Sequence, residues 1–219
     1  MKIQHQGFTL VEIAIVLVII GLLLGGILKG QEMINQAKIK NVVADFSGVS
    51  AAYYGYQDRY RAIPGDDAGA GARWAAAGFP ATPATGAYGD GVVAGTYNTT
   101  TANEESRLWW LGLRTAGFVS GGGQSQPFNA VSGMLGVQTG NNAGGTVLGG
   151  FGGIIICSAG LPDKIAIAVD TQMDDGAIAT GTVRGQLHTG GPNPAINAAA
   201  DAAAYAETGT NIYTLCRSL

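Results

Sequence analysis

Residues 7–28 read GFTLVEIAIVLVIIGLLLGGIL. From Phe8 to Leu28 the run holds a single charge, Glu12, and as a helix rising 1.5 Å per residue it would span about 31 Å, the thickness of a bilayer's hydrocarbon core. The short polar segment MKIQHQG precedes it, with Lys2 as its only charge, on the side expected to stay cytoplasmic. A removable secretory signal has the reverse order, with its apolar stretch before the cut and small residues closing it. Glu12 is the anomaly. An ionisable group within a membrane span costs several kcal/mol on most scales and marks a functional position by default. Lying near the helix start, it is also within reach of the headgroup interface.

Beyond the apolar run, LKGQEMINQAKIKNVVADFSGVSAAYYGYQDRY (28–60) places Met33, Ile34, Ala37, Val42, Val49, Ala52, Tyr53, Tyr56 and Tyr60 mostly three or four residues apart. That spacing predicts an amphipathic helix continuous with the first, one element from Phe8 to Tyr60, with its second half packed on a head. The helix should stop at IPGDD, Ile63–Asp67, because Pro64 excludes its predecessor from helical geometry and Gly65 permits a turn. The four tyrosines Tyr53, Tyr54, Tyr56 and Tyr60 are read as packing under the head rather than as a conducting or adhesive stripe.

The remainder, 61–219, reads as one head. It is rich in Gly, Ala and Thr to about Gly150, with a short helix expected at Glu104–Ala116 and strands near Val131–Val137, Gly153–Ser158, Thr182–Leu187 and Asn211–Arg217. KIAIAVDT, beginning at Lys164, alternates like a strand, yet Pro162 at the first turn and Ile165, Val169 and Met173 on one side favour a helix. An apolar helix stripe needs a covering layer, which makes the expected fold α+β: a long N-terminal helix on a C-terminal antiparallel sheet.

The chain has 219 residues, 36 of them Gly, with 12% charged and a mean hydropathy of +0.20, which is not the composition of a disordered protein. A net charge of −3 offers no broad basic face for nucleic acid. Cys157 and Cys216 lie too far apart for a CxxC redox pair and have no zinc-site spacing. A disulfide between them is the simplest account, which implies an oxidising compartment; two buried thiols are the alternative.

GFTLVE followed by uncharged apolar residues closely resembles the type IV prepilin signal. Blocks of the head (YRAIPGDD, ESRLWWLGLRTAGFVSG, IICSAGLPDKIAIAVDTQMDDGAIATGTVR and IYTLCRSL) look like blocks shared by pilin-like proteins. The resemblance implies cleavage by a prepilin peptidase after Gly7, methylation of the new N-terminal Phe8, and a filament-core role for Glu12 opposite the Phe8 amine of a neighbouring subunit. It divides the chain into a leader (1–7), a long helix (8–60, with 8–28 in the membrane and later in the filament core) and a pilin head (61–219). The implied partners are the chain itself and other pilins in a helical homopolymer, the peptidase, an inner-membrane assembly platform and, before assembly, the lipid bilayer. The implied location is the inner membrane first and an extracellular pilus afterwards, with no cofactor and no enzymatic activity. Adhesion, twitching motility or DNA uptake are the functions such a filament serves. Many relatives carry a proline near the position of Lys29; this chain has none, and Gly21, Gly25 and Gly26 are the weaker helix formers there.

Two other readings stay open at this level: a pseudopilin of a type II secretion system, and a single-pass membrane-anchored periplasmic binding protein. Asp170, Asp174 and Asp175 are calcium candidates, although DDG is first a turn signal and the EF-hand spacing is absent. His188 has no partner at ligand spacing, and no GxSxG or HExxH set is present. Asn98-Thr99-Thr100 matches a glycosylation acceptor.

Overall fold

The computed structural model describes residues 9–140, 147–199, 201 and 204–219. Helix α1 runs Leu10–Tyr60 as one continuous element. The chain nevertheless divides into two compact units within that helix, one ending at Lys38 and the other comprising Ile39–Leu219. The division follows a change in sequence pattern. Up to Leu28 the helix is apolar all round and its large side chains are exposed; from Ile39 onward Ile39, Val42, Phe46, Val49, Ala52, Tyr53 and Tyr56 form one buried stripe.

In the second unit, α1 is followed by α2 (Ala70–Trp74), a 3-10 turn (Ala75–Ala77), α3 (Glu105–Thr115), β1 (Leu135–Thr139), β2 (Ile154–Pro162), α4 (Asp163–Met173), β3 (Val183–Leu187) and β4 (Ile212–Ser218). The four strands form an antiparallel sheet in the order β1-β2-β4-β3. Strand alternation separates its two faces. Ile154, Ile156, Leu215 and Tyr213 join the stripe of α1, together with Trp109, Trp110 and Leu113 of α3 and Ile165 and Val169 of α4. Each fully buried Val, Leu or Phe in this layer contributes about 1.5–3 kcal/mol relative to exposure. Tyr53 stacks on Trp109 with ring centroids 5.2 Å apart, while Tyr54 points to solvent, so the tyrosine cluster packs in the core in part only.

The opposite face carries Ile155, Cys157, Ala159 and Cys216, and it is covered by loops through Tyr97, Leu148 and Phe151. Loops can form such a layer only if their backbone polar groups find partners. Gln138 Oε1 accepts the Tyr97 amide, Gln186 brackets the segment by donating to the Ala195 carbonyl and accepting from the Asn197 amide, and the Tyr97 hydroxyl donates to the Pro194 carbonyl at 2.7 Å. The disulfide Cys157–Cys216 lies beneath this layer, between residues directly opposite each other on β2 and β4.

Helix α1 ends at Tyr60, as its spacing predicts and just ahead of the proline, because Arg61 adopts a left-handed conformation (φ 54°) and donates its amide to the Gln57 carbonyl at 2.8 Å. The IPGDD turn that follows is buried. Gly65 has φ 83°, and a Cβ there would collide with the carbonyl oxygen of Glu105, so this turn can lie against the start of α3 only as glycine. Asp67 accepts from the Tyr56 hydroxyl (2.7 Å), the Arg73 guanidinium (2.8 Å) and the Gly69 amide (2.8 Å). Burial works to raise the Asp67 pKa, and these donors outweigh it, holding the carboxyl below its ordinary 3.8. A depressed carboxyl stabilises the fold fully above its unfolded pKa and loses that contribution as pH falls through the lower folded value. We therefore expect Asp67→Asn to melt at a lower temperature than the parent at pH 6, with the gap narrowing below about pH 3.8. Thermal melts between pH 2 and 6 check this; a gap independent of pH would remove the ionised group from the account.

Candidate functional site

The N-terminal unit is built around the first turn of α1. Thr9 stands just before the helix and Glu12 three residues on. Glu12 Oε2 accepts from both the Thr9 amide and the Thr9 hydroxyl at 2.8 Å, and the Glu12 amide donates back to Thr9 Oγ1 at 3.3 Å. This is a capping box, which satisfies amides that a helix start leaves without intrahelical partners. Within a single chain, then, the lone carboxylate of the apolar run is occupied by the helix's own end. The signal was present in the sequence as T-x-x-E, and charge reasoning alone passed over it.

From Leu10 to Leu28 every large apolar side chain is exposed, among them Leu10, Leu17, Leu22 and Leu28. The helix is long and apolar enough to cross a membrane by length and composition. A contiguous apolar surface of this extent is not left to water by a soluble monomer and calls for lipid or another chain. Among the described residues, Gly21, Gly25, Gly26 and Gly30 have nothing within 4 Å of where a Cβ would sit. Spaced glycines on an apolar helix allow close helix–helix approach when a partner is supplied. Gly7 and Phe8, the expected cleavage and methylation positions, lie outside the described residues.

In the second unit, Asp170, Asp174 and Asp175 do converge, each offering an oxygen within 4.8 Å of the others. Most of their oxygens are engaged in the turn between α4 and β3, while Asp170 Oδ1 is buried with no hydrogen-bond donor among the described residues. Asp174 Oδ2 accepts the amides of Thr182 and Val183, Asp175 accepts the Ala177 amide and the Thr180 hydroxyl, and Asp170 accepts the Tyr205 hydroxyl at 2.6 Å. Burial pushes the Asp170 pKa up to about 6 against the stabilising donors Tyr205 and Gly176. The DDG segment acts as a turn organiser, in keeping with its composition. His188 is half-buried at the end of β3, and burial pushes its pKa down.

Residues 3–28 match the prokaryotic N-terminal methylation motif, the type IV prepilin signature. No curated protein and no solved structure matches the chain. The long apolar helix followed by a four-stranded antiparallel sheet is the α+β, pilin-like architecture that this signature accompanies.

Proposed function

We propose that this chain is the precursor of a type IV pilus subunit, held in the inner membrane by the first half of α1 and polymerised through it. The motif supports a pilin-like or pseudopilin protein. The observation that carries the proposal is the combination of that motif with a helix whose apolar half, Leu10–Leu28, exposes every large side chain. In this reading residues 1–7 are a leader, 8–28 anchor the chain in lipid and later line the filament core, and the head extends to Leu219. Cleavage after Gly7 creates a free amine on Phe8, one residue before the capping Thr9. As the subunit leaves lipid, Glu12 exchanges its contacts with Thr9 for the Phe8 amine of an adjacent subunit. A charge moved into an apolar filament core is tolerated only when paired, and this contact sets the axial register.

Mass spectrometry of the protein from its native membrane tests the reading. Loss of residues 1–7 together with one added methyl group on Phe8 supports it; an intact Met1 supports a membrane-anchored protein instead. Gly7→Ala should be tolerated less well than any nearby change, because the peptidase must close on the backbone at the cut and glycine alone has no side chain. Immunoblots should show unprocessed precursor accumulating; normal processing of Gly7→Ala would count against the proposed cut.

A further inference from the structure

We propose that Asp66, Asp90 and Glu105 bind a divalent hard cation of calcium size in the head. The three come from separate segments: the turn after α1, the loop before α3, and the first residue of α3. One oxygen of each lies within 4.8 Å of the other two. Asp66 and Glu105 are buried, and Asp90 is exposed, which leaves a route for an ion to enter.

The loop is fixed before any ion arrives. Asp66 accepts the amides of Gly89 and Asp90 on Oδ1 and that of Gly91 on Oδ2, which pins the Gly89–Gly91 segment against the turn. Asp90 Oδ1 accepts the Val92 amide at 2.8 Å. These bonds explain the position of the loop and leave one group unexplained. Glu105 is fully enclosed; its Oε2 accepts the Ala94 amide at 2.8 Å, and its Oε1 has no hydrogen-bond donor among the described residues. Gly86 lies directly over that oxygen, where a Cβ would sit 3.0 Å away. A buried carboxylate oxygen without a donor is costly, and here its neighbours are two further carboxylates. None of the three forms an ion pair with a basic side chain among the described residues.

The chemistry selects the ion. Three carboxylates, with no nitrogen or sulfur donor, suit a hard cation. Ca2+, with oxygens at about 2.3–2.6 Å in a flexible shell, takes ligands from separate loop segments, whereas Mg2+ demands near-ideal octahedral geometry and keeps several of its waters. The acidic turn at Asp170 also holds a buried oxygen without a donor, Asp170 Oδ1, but only one of its three carboxylates is buried, against two here. Bound at Asp66, Asp90 and Glu105, the cation ties the turn after α1 to α3 and to the loop at Gly89–Gly91. The inference does not depend on the filament reading.

The test is calorimetric titration of CaCl2 into the chelator-treated full-length chain in detergent micelles, with thermal melts in parallel. The expected result is one saturable site per chain, with a dissociation constant on the order of 10⁻⁴ M as in extracellular calcium modules, and a melting temperature that rises with Ca2+. Asp90→Asn, an exposed change that keeps the acceptor for Val92, should weaken binding at least about tenfold, since ligand charge count tunes affinity. Glu105→Gln should abolish it, and Asp174→Asn with Asp175→Asn should leave it unchanged. No saturable binding to the folded parent, binding indifferent to Asp90→Asn, or binding lost only with Asp174 and Asp175 would each overturn the proposal.

Discussion

A strain whose only copy carries Glu12→Ala is expected to make, insert and process the protein normally and to show at least about a tenfold loss of surface filament, equivalent to about 1.4 kcal/mol or more at the assembly step. In lipid the carboxylate has Thr9 for company, and losing one member of a capping box at a helix end costs on the order of 1 kcal/mol, confined to the first turn. Insertion through the apolar residues that follow should survive that. Assembly should not, because the Phe8 amine of a neighbouring subunit would be left uncompensated in the filament core. Glu12→Gln separates the two roles. Glutamine keeps the capping box and removes the charge. If Glu12→Gln fails as Glu12→Ala does, the ionic contact carries the function; if Glu12→Gln restores filaments, the cap carries it and the proposed pairing is wrong. Loss of the protein itself in both variants would point to insertion instead.

The second large effect concerns the head. Cys157 and Cys216 are fully buried, face each other across β2 and β4, and close a loop with a sequence separation of 59. The chain-entropy account assigns a loop of this size roughly 4 kcal/mol. Against a typical domain stability of about 5–15 kcal/mol, that is a large share. Replacing both cysteines with alanine should lower the urea midpoint of head unfolding by an amount corresponding to about 4 kcal/mol, and reducing the parent protein should lower it similarly. A midpoint unmoved by a reductant shown to cleave the bond would remove the staple from the account.

What could be read in advance follows from which forces leave a periodic trace. The stripe Val42–Val49–Tyr53–Tyr56 in α1, the apolar side of α3 and the helical spacing of Ile165 and Val169 are repeating patterns, and those elements were found where they were expected. The start of β1 was placed too early, because Val131 looks like a strand residue. In fact Asn129 Oδ1 accepts the amides of Val131 and Gly133 while its Nδ2 donates to Ser158 and Ala159, which fixes a turn and delays the strand to Leu135. Similarly, β2 runs past Ser158 to Pro162, with its register shifting between Ser158 and Leu161 where Gly160 takes φ 70°. The loop layer over the disulfide has no period, since the isolated side chains of Gln138, Gln186 and Tyr97 hold it. The Asp66–Asp90–Glu105 grouping was illegible for the same reason: three carboxylates scattered along the sequence are brought together by backbone amides. The expected chemistry of Gly7, Phe8 and Glu12 came from a local motif, and motifs of that kind need no tertiary structure to be read.

The central claim is that this chain polymerises, and shearing cells and analysing the released filaments tests it most directly. The account predicts extracellular filaments that contain this chain, beginning at a methylated Phe8 and carrying the Cys157–Cys216 bond. Recovery of the chain only in the membrane fraction, with Met1 intact and none in sheared filaments, would contradict it.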